Sequence, residues 1–285
     1  MWNFILLTIL LGVQSPAKHK HEDSNKMTID FSSYSHVHIY NTGGAVDVKG
    51  ISSGTGEVSI QRRIEARSSS KLENAIQNVY LDTMVIDDEL VIFIESPYQE
   101  LTSRYSDYLR YEGRGRFQHW NSREVGVEYL FDLDIKLPAG ISSTISTHKG
   151  DINIEGLSEE LTVMNHFDDV VLKDVQKVLY AHTHHGDVEV SYSGKLSEDV
   201  ELDTHHGDIV LKFRQAPSAN IEFESYHGSM YTDFDWEPGK LLIEQNDEGR
   251  KTRYKVGGKT NVTMGNGGPR ISFDSHHGDF YILKS

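Results

Sequence analysis

The residues in this chain best suited to chemistry are histidines and aspartates set in a recurring pentad. Thr183–Asp187 reads T-H-H-G-D and returns as Thr204–Asp208, 21 residues later. Looser copies stand at Thr147–Asp151 (T-H-K-G-D), Asn165–Asp169 (N-H-F-D-D), Ser225–Ser229 (S-Y-H-G-S) and Ser275–Asp279 (S-H-H-G-D). Imidazole and carboxylate are ligands for Zn, Ni or Cu. If the copies stack, His184, His185, His205 and His206, with Asp187 and Asp208 beside them, are the best candidate metal group. Stacked imidazoles also suit pH sensing, because two imidazolium charges at strand spacing repel by about 1 kcal/mol in water and more in a protein. Stacked aspartates roughly 5 Å apart match the carboxylate separation of a retaining glycosidase, so a carbohydrate-active β-helix enzyme is a further reading. Against that reading, every such carboxylate belongs to a repeat column, and no unique acid/base pair stands out. No G-x-S-x-G elbow, phosphate loop, H-E-x-x-H or nonapeptide calcium repeat is present. Repetition alone also clusters histidines, so the pattern requires no cofactor.

The elements that must carry these pentads are strands. The glycine position falls at 150, 168 (an aspartate), 186, 207, 228 and 278, with spacings of 18, 18, 21, 21 and 50. Apolar residues alternate with polar ones on both sides: Ile145, Val163, Leu202, Phe223 and Phe273 before it, Ile152/Ile154, Val170/Leu172, Val188/Val190, Ile209/Leu211 and Phe280/Ile282 after it. Period-2 alternation is the signal of a strand with one buried face. From the Thr/Ser position to the first apolar residue after Gly-Asp is an odd number of steps, so a corner must intervene, and glycine suits it. The expected fold is therefore all-β: a single-stranded parallel β-solenoid with about 18–21 residues per coil, one short helix and one long aromatic/Arg-rich insertion. Stacked coils would align His148, His166, His184, His205 and Tyr226 in one column, and Lys149, Phe167, His185, His206 and His227 in a second. Asp151, Asp169, Asp187, Asp208 and Ser229 would make a third. His276, His277 and Asp279 would join only if residues 229–270 formed intervening coils.

Residues 1–17 read as a secretory signal, with Phe4–Val13 as a short apolar run and cleavage after Ala17; a buried N-terminal strand is the alternative. The charged stretch 18–27 reads as a flexible exit segment. Residues 28–285 then make one continuous domain, with a starting coil around Gly44. A helix is expected over 68–79, capped by Ser69 or Ser70, and two strands follow about the turn Asp87-Asp88-Glu89. The insertion, 96–124, holds Tyr98, Tyr105, Tyr108, Tyr111, Phe117 and Trp120 among Arg104, Arg110, Arg114 and Arg116. Such a composition occurs at binding surfaces, and Tyr105, Tyr108, Tyr111, Arg110, Arg114, Arg116 and Trp120 are the candidate ligand contacts. Packing of these rings over an end of the solenoid would account for them equally well. The repeat array proper spans 141–285.

There is no Cys, which removes disulfides and thiolate sites and suits export into a bacterial envelope. A net charge of −15 repels polyanions and argues against general nucleic-acid or anionic-membrane binding. No run beyond the signal is long and apolar enough for a transmembrane helix.

The stretch M-G-N-G-G-P-R-I-S-F-D-S-H-H-G-D-F-Y-I-L (264–283) resembles the closing repeat of a large family of exported bacterial adhesin-like proteins, β-strand-repeat proteins of unknown function. D-L-D-I-K-L-P-A-G (132–140), followed by I-S-T-H-K-G-D-I-N-I-E-G (145–156), is similar to that family's lead-in to its repeat. The resemblance covers roughly residues 30–285 and implies a β-solenoid in the periplasm, at the cell surface or secreted. It implies a structural or binding role and no reaction; the long solenoid face and the aromatic/Arg insertion are what suit a protein or glycan partner, and the oligomeric state stays open. This chain departs from the family by placing histidine ahead of Gly-Asp, so its histidine columns are its own.

Overall fold

The computed structural model describes residues 18–98, 126–238, 243–248, 251–256 and 260–285. In chain order the first elements are β1 (His19–Asp30), β2 (His36–Tyr40), β3 (Val46–Ile51), β4 (Thr55–Ala66), α1 (Ser69–Asn78), β5 (Tyr80–Ile86) and β6 (Glu89–Glu95). After these come β7 (Val127–Pro138), β8 (Ser142–Ser146), β9 (Ile152–Glu155), β10 (Glu160–Met164), β11 (Val170–Val175), β12 (Lys177–His185) and β13 (Val188–Tyr192). The rest are β14 (Val200–His206), β15 (Ile209–Phe213), β16 (Ala219–Ser225), β17 (Met230–Thr232), β18 (Trp236–Pro238), β19 (Ile243–Glu248), β20 (Lys251–Val256), β21 (Thr260–Met264), β22 (Arg270–His277) and β23 (Phe280–Lys284).

Each pentad joins a strand of one sheet to a strand of the other, as the alternation requires. One sheet runs β2, β8, β10, β12, β14, β22, β16 and the other β3, β9, β11, β13, β15, β23, β17, every neighbouring pair parallel. Between the sheets lies the core, with Val163, Leu202 and Phe273 from one and Leu172, Leu211 and Ile282 from the other, all essentially inaccessible. Thr183 and Val188 are five residues apart and both fully buried, so the Gly-Asp corner does switch faces. Glycine is required there on two counts. Gly150 has φ +109°, and a Cβ on Gly207 would stand 1.8 Å from the carbonyl oxygen of Gly186 in the next coil. Asp168 takes the glycine place in N-H-F-D-D with φ +73°, in the left-handed region that aspartate tolerates better than most residues.

Three expectations need correction. The array is solenoid-like only in its coils, because the sheets as wholes are mixed and open. β1, β4 and β7 extend the first coil's sheet with antiparallel pairs, and β5–β6 does so on the opposite sheet. At the far end β21 and β18 add antiparallel strands beyond β16. Secondly, residues expected as an exit segment form β1, paired with β4 along its whole length, where backbone hydrogen bonds and cross-strand ion pairs hold a charged sequence. Thirdly, the coil of β22 and β23 lies directly on β14 and β15, and the coil of β16 and β17 lies outside it. No intervening coils are needed, since 275–279 stacks on 204–208 across 71 residues of chain.

The starting coil around Gly44 is present, with β2 on β8 and β3 on β9. Helix α1 matches its expected span, but Ser68 is the N-cap, its hydroxyl accepting the Lys71 N–H at 3.4 Å. Strands β5 and β6 flank Asp87, which turns with φ +56°. Residues 1–17 and 99–125, and so the signal and most of the insertion, lie outside the described residues. No helix among the described residues is long and apolar enough to cross a membrane.

Candidate functional site

The corner of the solenoid brings the pentads together, and each pentad position does one thing. The leading Thr or Asn is buried and caps the corner of the neighbouring coil: Thr204 Oγ1 donates to Gly186 O (3.1 Å), Thr183 Oγ1 to Asp168 O (2.9 Å) and Asn165 Nδ2 to Gly150 O (3.0 Å). The Asp after the glycine position forms a ladder. Asp151, Asp169, Asp187 and Asp208 each use Oδ1 to accept the backbone N–H of the next coil's aspartate, at 3.2, 2.8, 2.8 and 2.8 Å. Asp279 closes the series by accepting from Ser229 N at 2.9 Å. The column expected from the repeat therefore exists, with Asp279 inserted between Asp208 and Ser229.

The two residues before the glycine position build a double ladder of rings. In the inner column His148, His166, His184, His205, His276 and Tyr226 follow one another with centroids 4.8, 4.9, 4.7, 4.9 and 5.2 Å apart. In the outer column Phe167, His185, His206, His277 and His227 follow at 5.5, 5.0, 5.1 and 4.8 Å. Rings stack within a column, except that His184 is tilted 32° from His166, and they meet edge-on between columns, as His184 meets His185 at 4.4 Å and 72°. Half-buried His184 has its pKa lowered to about 4, first by loss of solvation and then by the charges that His185, His166, His205 and His182 would carry. Burial and neighbouring imidazoles push His206 and His277 down in the same sense.

The candidate metal group His184, His185, His205, His206, Asp187 and Asp208 is thus brought to one edge. Its geometry, however, is that of a stack. The rings of His184 and His205 are 2° from parallel, as are those of His185 and His206, and a nitrogen lone pair lies in its ring plane, so lone pairs within a column run side by side. One oxygen of each aspartate is held by backbone. Among the described residues no group of three or more His, Asp or Glu is placed to hold a metal ion. The Nδ1 atoms of His184 and His205 are buried with no hydrogen-bond partner. The candidate ligand contacts Tyr105, Tyr108, Tyr111, Arg110, Arg114, Arg116 and Trp120 lie outside the described residues.

Two polar features escaped the sequence reading. On β2, His36, His38 and Tyr40 share one side: His38 Nε2 is 2.9 Å from Glu89 Oε2, its Nδ1 is 3.2 Å from the Tyr40 hydroxyl, and His36 Nε2 is 2.9 Å from Thr144 Oγ1. Burial lowers His36 to about 4 and lowers His38 despite the pull of Glu89. The i, i+2 spacing in H-V-H-I-Y was the available signal, but its partners are 51 and 108 residues away. A shallow groove of about 370 Å³ crosses the other sheet, lined by Asp47, Lys49, Asp134, Asn153, Glu155 and Lys173 among others. It is assembled from four strands, and no local pattern announces it.

The profile of the Toastrack DUF4097 family matches residues 121–282. No curated protein matches the chain. Among solved structures, the chain is similar to a Clostridium sporogenes protein provisionally named a cell adhesion protein, with 11% identity and TM-score 0.42, covering 93% of this chain and 100% of that one. It is also similar to a provisional adhesin of Bacteroides fragilis, with 11% identity and TM-score 0.27 over 92% of this chain and 97% of that one. A provisional lipid-binding protein of Parabacteroides distasonis follows at 11% identity and TM-score 0.23, with coverage of 92% and 97%.

Proposed function

The chain belongs to the Toastrack DUF4097 family, and from that premise we propose that it is a non-enzymatic binding protein, exported to the bacterial envelope or cell surface. The observation that carries this reading is the aspartate ladder. Carboxylates whose spacing suits acid/base chemistry accept backbone N–H groups of the adjacent coil, so the repeat's acidic groups act as scaffold. A general acid or base must be able to exchange its proton with substrate, and a carboxylate holding a coil in register does so poorly. Between β6 and β7 the sequence interleaves aromatic and arginine residues, a composition that suits a protein or glycan partner. The test is binding to a glycan array and to envelope extract by full-length protein and by a Tyr105→Ala/Tyr108→Ala/Tyr111→Ala variant. At least a tenfold loss of affinity with an unchanged melting temperature supports the reading. Retention of the same ligand at the same affinity removes the segment from the function.

A second reading is transition-metal binding by the ring ladder, favoured by the unpartnered Nδ1 atoms of His184 and His205. Ligation would require rings to rotate out of the stack. Calorimetry of chelator-stripped protein with Zn, Ni and Cu decides it. Stoichiometric sub-micromolar binding, lost in His184→Ala/His205→Ala, would establish the site, whereas weak heat common to both proteins would leave the ladder as scaffold.

A further inference from the structure

The array is not stacked in chain order, and this has a consequence for assembly. The coil of β22 and β23 fills a slot between an inner wall, β14 with β15, and an outer wall, β16 with β17. Both walls pair with it in parallel: Phe273 lies between Leu202 and Phe223, and Ile282 between Leu211 and Thr232. The ladder passes through it, since Asp279 N donates to Asp208 and Asp279 Oδ1 accepts from Ser229. The ring stack passes through it as well, from His205 to His276 to Tyr226 and from His206 to His277 to His227.

The walls are also complementary to each other. Their pentads are 21 residues apart, the same distance as 183–187 from 204–208, which do stack directly. With the inserted coil absent, Asp208 has Ser229 N–H as its natural substitute donor, and His205 has Tyr226 as its next ring. The inserted coil therefore competes for its slot with a closed arrangement of the same chemistry. It reaches the slot through 265–269, a turn over Ser218 in which Gly265 and Gly267 have φ +58° and +72°. Glycines leave such a turn free to open into extended chain.

We propose that this slot also accepts the equivalent coil of a second copy, so that two chains join by reciprocal exchange of residues 270–284. A guest must satisfy Asp208 and Ser229 together, supply a ring to each of two columns, and bury large apolar groups at the places of Phe273 and Phe280. The chain's own closing pentad meets all of these conditions. Exchange preserves the hydrogen bonds and ring contacts that 270–284 makes with both walls, changes backbone only at 265–269 and gives up the turn's Gly267 N–H bond to Met264 O; swapping of identical elements is for that reason a low-cost route to dimers. Coils of a solenoid form by propagation from their neighbours, so the slot is open to any matching coil until its own arrives across a 50-residue gap.

The absence of native Cys makes the test direct. Glu201 and Ser272 face each other in the β14–β22 pair, and neighbouring strands roughly 4.8 Å apart fall within disulfide reach. The full chain carrying Glu201→Cys/Ser272→Cys is unfolded, refolded at several concentrations as a mixture of light and heavy isotopic forms, and oxidised. The expected result is a covalent dimer whose disulfides join position 201 of one copy to position 272 of the other. While dimer is the minor product, its fraction should rise roughly tenfold for each tenfold increase in chain concentration, as mass action requires. Only internally linked monomer at every concentration overturns the proposal. The unsubstituted chain, refolded in the same mixture and weighed by native mass spectrometry, gives an independent reading should the variant fold poorly. Mixed-isotope dimers that persist on dilution support exchange, and their absence overturns it.

Discussion

Asp208 illustrates how a residue that looks catalytic is held to a structural task. Its Oδ1 accepts the Asp279 N–H at 2.8 Å, a partly buried bond between coils 71 residues apart in sequence. Asp208→Ala should strand that N–H and cost about 1–3 kcal/mol. For a domain of this size that lowers the melting temperature by several degrees, on the order of 2–4 °C per kcal/mol. Asp208→Asn keeps a carbonyl oxygen in place and should recover most of the loss. Thermal unfolding of the two variants checks this, and equal melting temperatures for Ala and Asn would show that the ladder carries no stability. The type of residue at this position was legible from the repeat. Its role was not, because a carboxylate's partner is fixed by what the adjacent coil presents.

At the scale of elements, the first coil's end is closed by β1, β4, β7 and α1, and Arg62 ties them together. From β4 its guanidinium pairs with Asp23 on β1, while Nη1 donates to the carbonyls of Ile76 (3.1 Å) and Val79 (2.6 Å) at the end of α1. Those carbonyls are among the acceptors a helix leaves unsatisfied at its C-terminus, so a charged donor there does the work of a cap. Arg62→Ala should destabilise by about 1.5–3 kcal/mol through the lost charged hydrogen bonds. Asp23→Ala removes only exposed contacts, to Arg62 and to His21, and should cost no more than about 1 kcal/mol. Denaturant titration ranks them, and a larger loss for Asp23→Ala would refute the assignment. Helix α1 could be read locally from its apolar stripe and serine cap. That His19–Asp30 is a strand could not, because most of its residues are polar and exposed, only Met27 and Ile29 pack against the core, and its order comes from pairing with β4.

Over the whole molecule, the ring ladder and the histidines of β2 make stability depend on pH. His184 and His36 are held at about 4, and His38, His206 and His277 are also lowered, each first by burial. An unfolded histidine titrates near 6.5. Between these values the unfolded chain binds protons that the folded chain does not, so folding stability rises with pH across that window and falls as acid is added. The stability is fully present above about pH 6.5 and is lost as pH approaches 4. Chemical denaturation at pH 7.5, 6 and 5 should show falling midpoints, with a shallower fall in His184→Gln; a flat profile would refute it. The strand–corner–strand unit, the columns and the residue types that fill them could be read from the amino-acid order. These follow from period-2 alternation and from the corner residue, glycine in every pentad but the one with Asp168, both local properties of a pentad and its flanks. The order of the coils, the antiparallel strands at both ends and the commitment of the aspartates to backbone emerge only when the coils pack together. The cause is degeneracy: pentads 225–229 and 275–279 offer nearly the same hydrogen bonds and rings to 204–208, so no local preference separates the two orders. The choice rests on burial of Phe273 and Phe280 between two walls, with β21 and β22 on either side of β16.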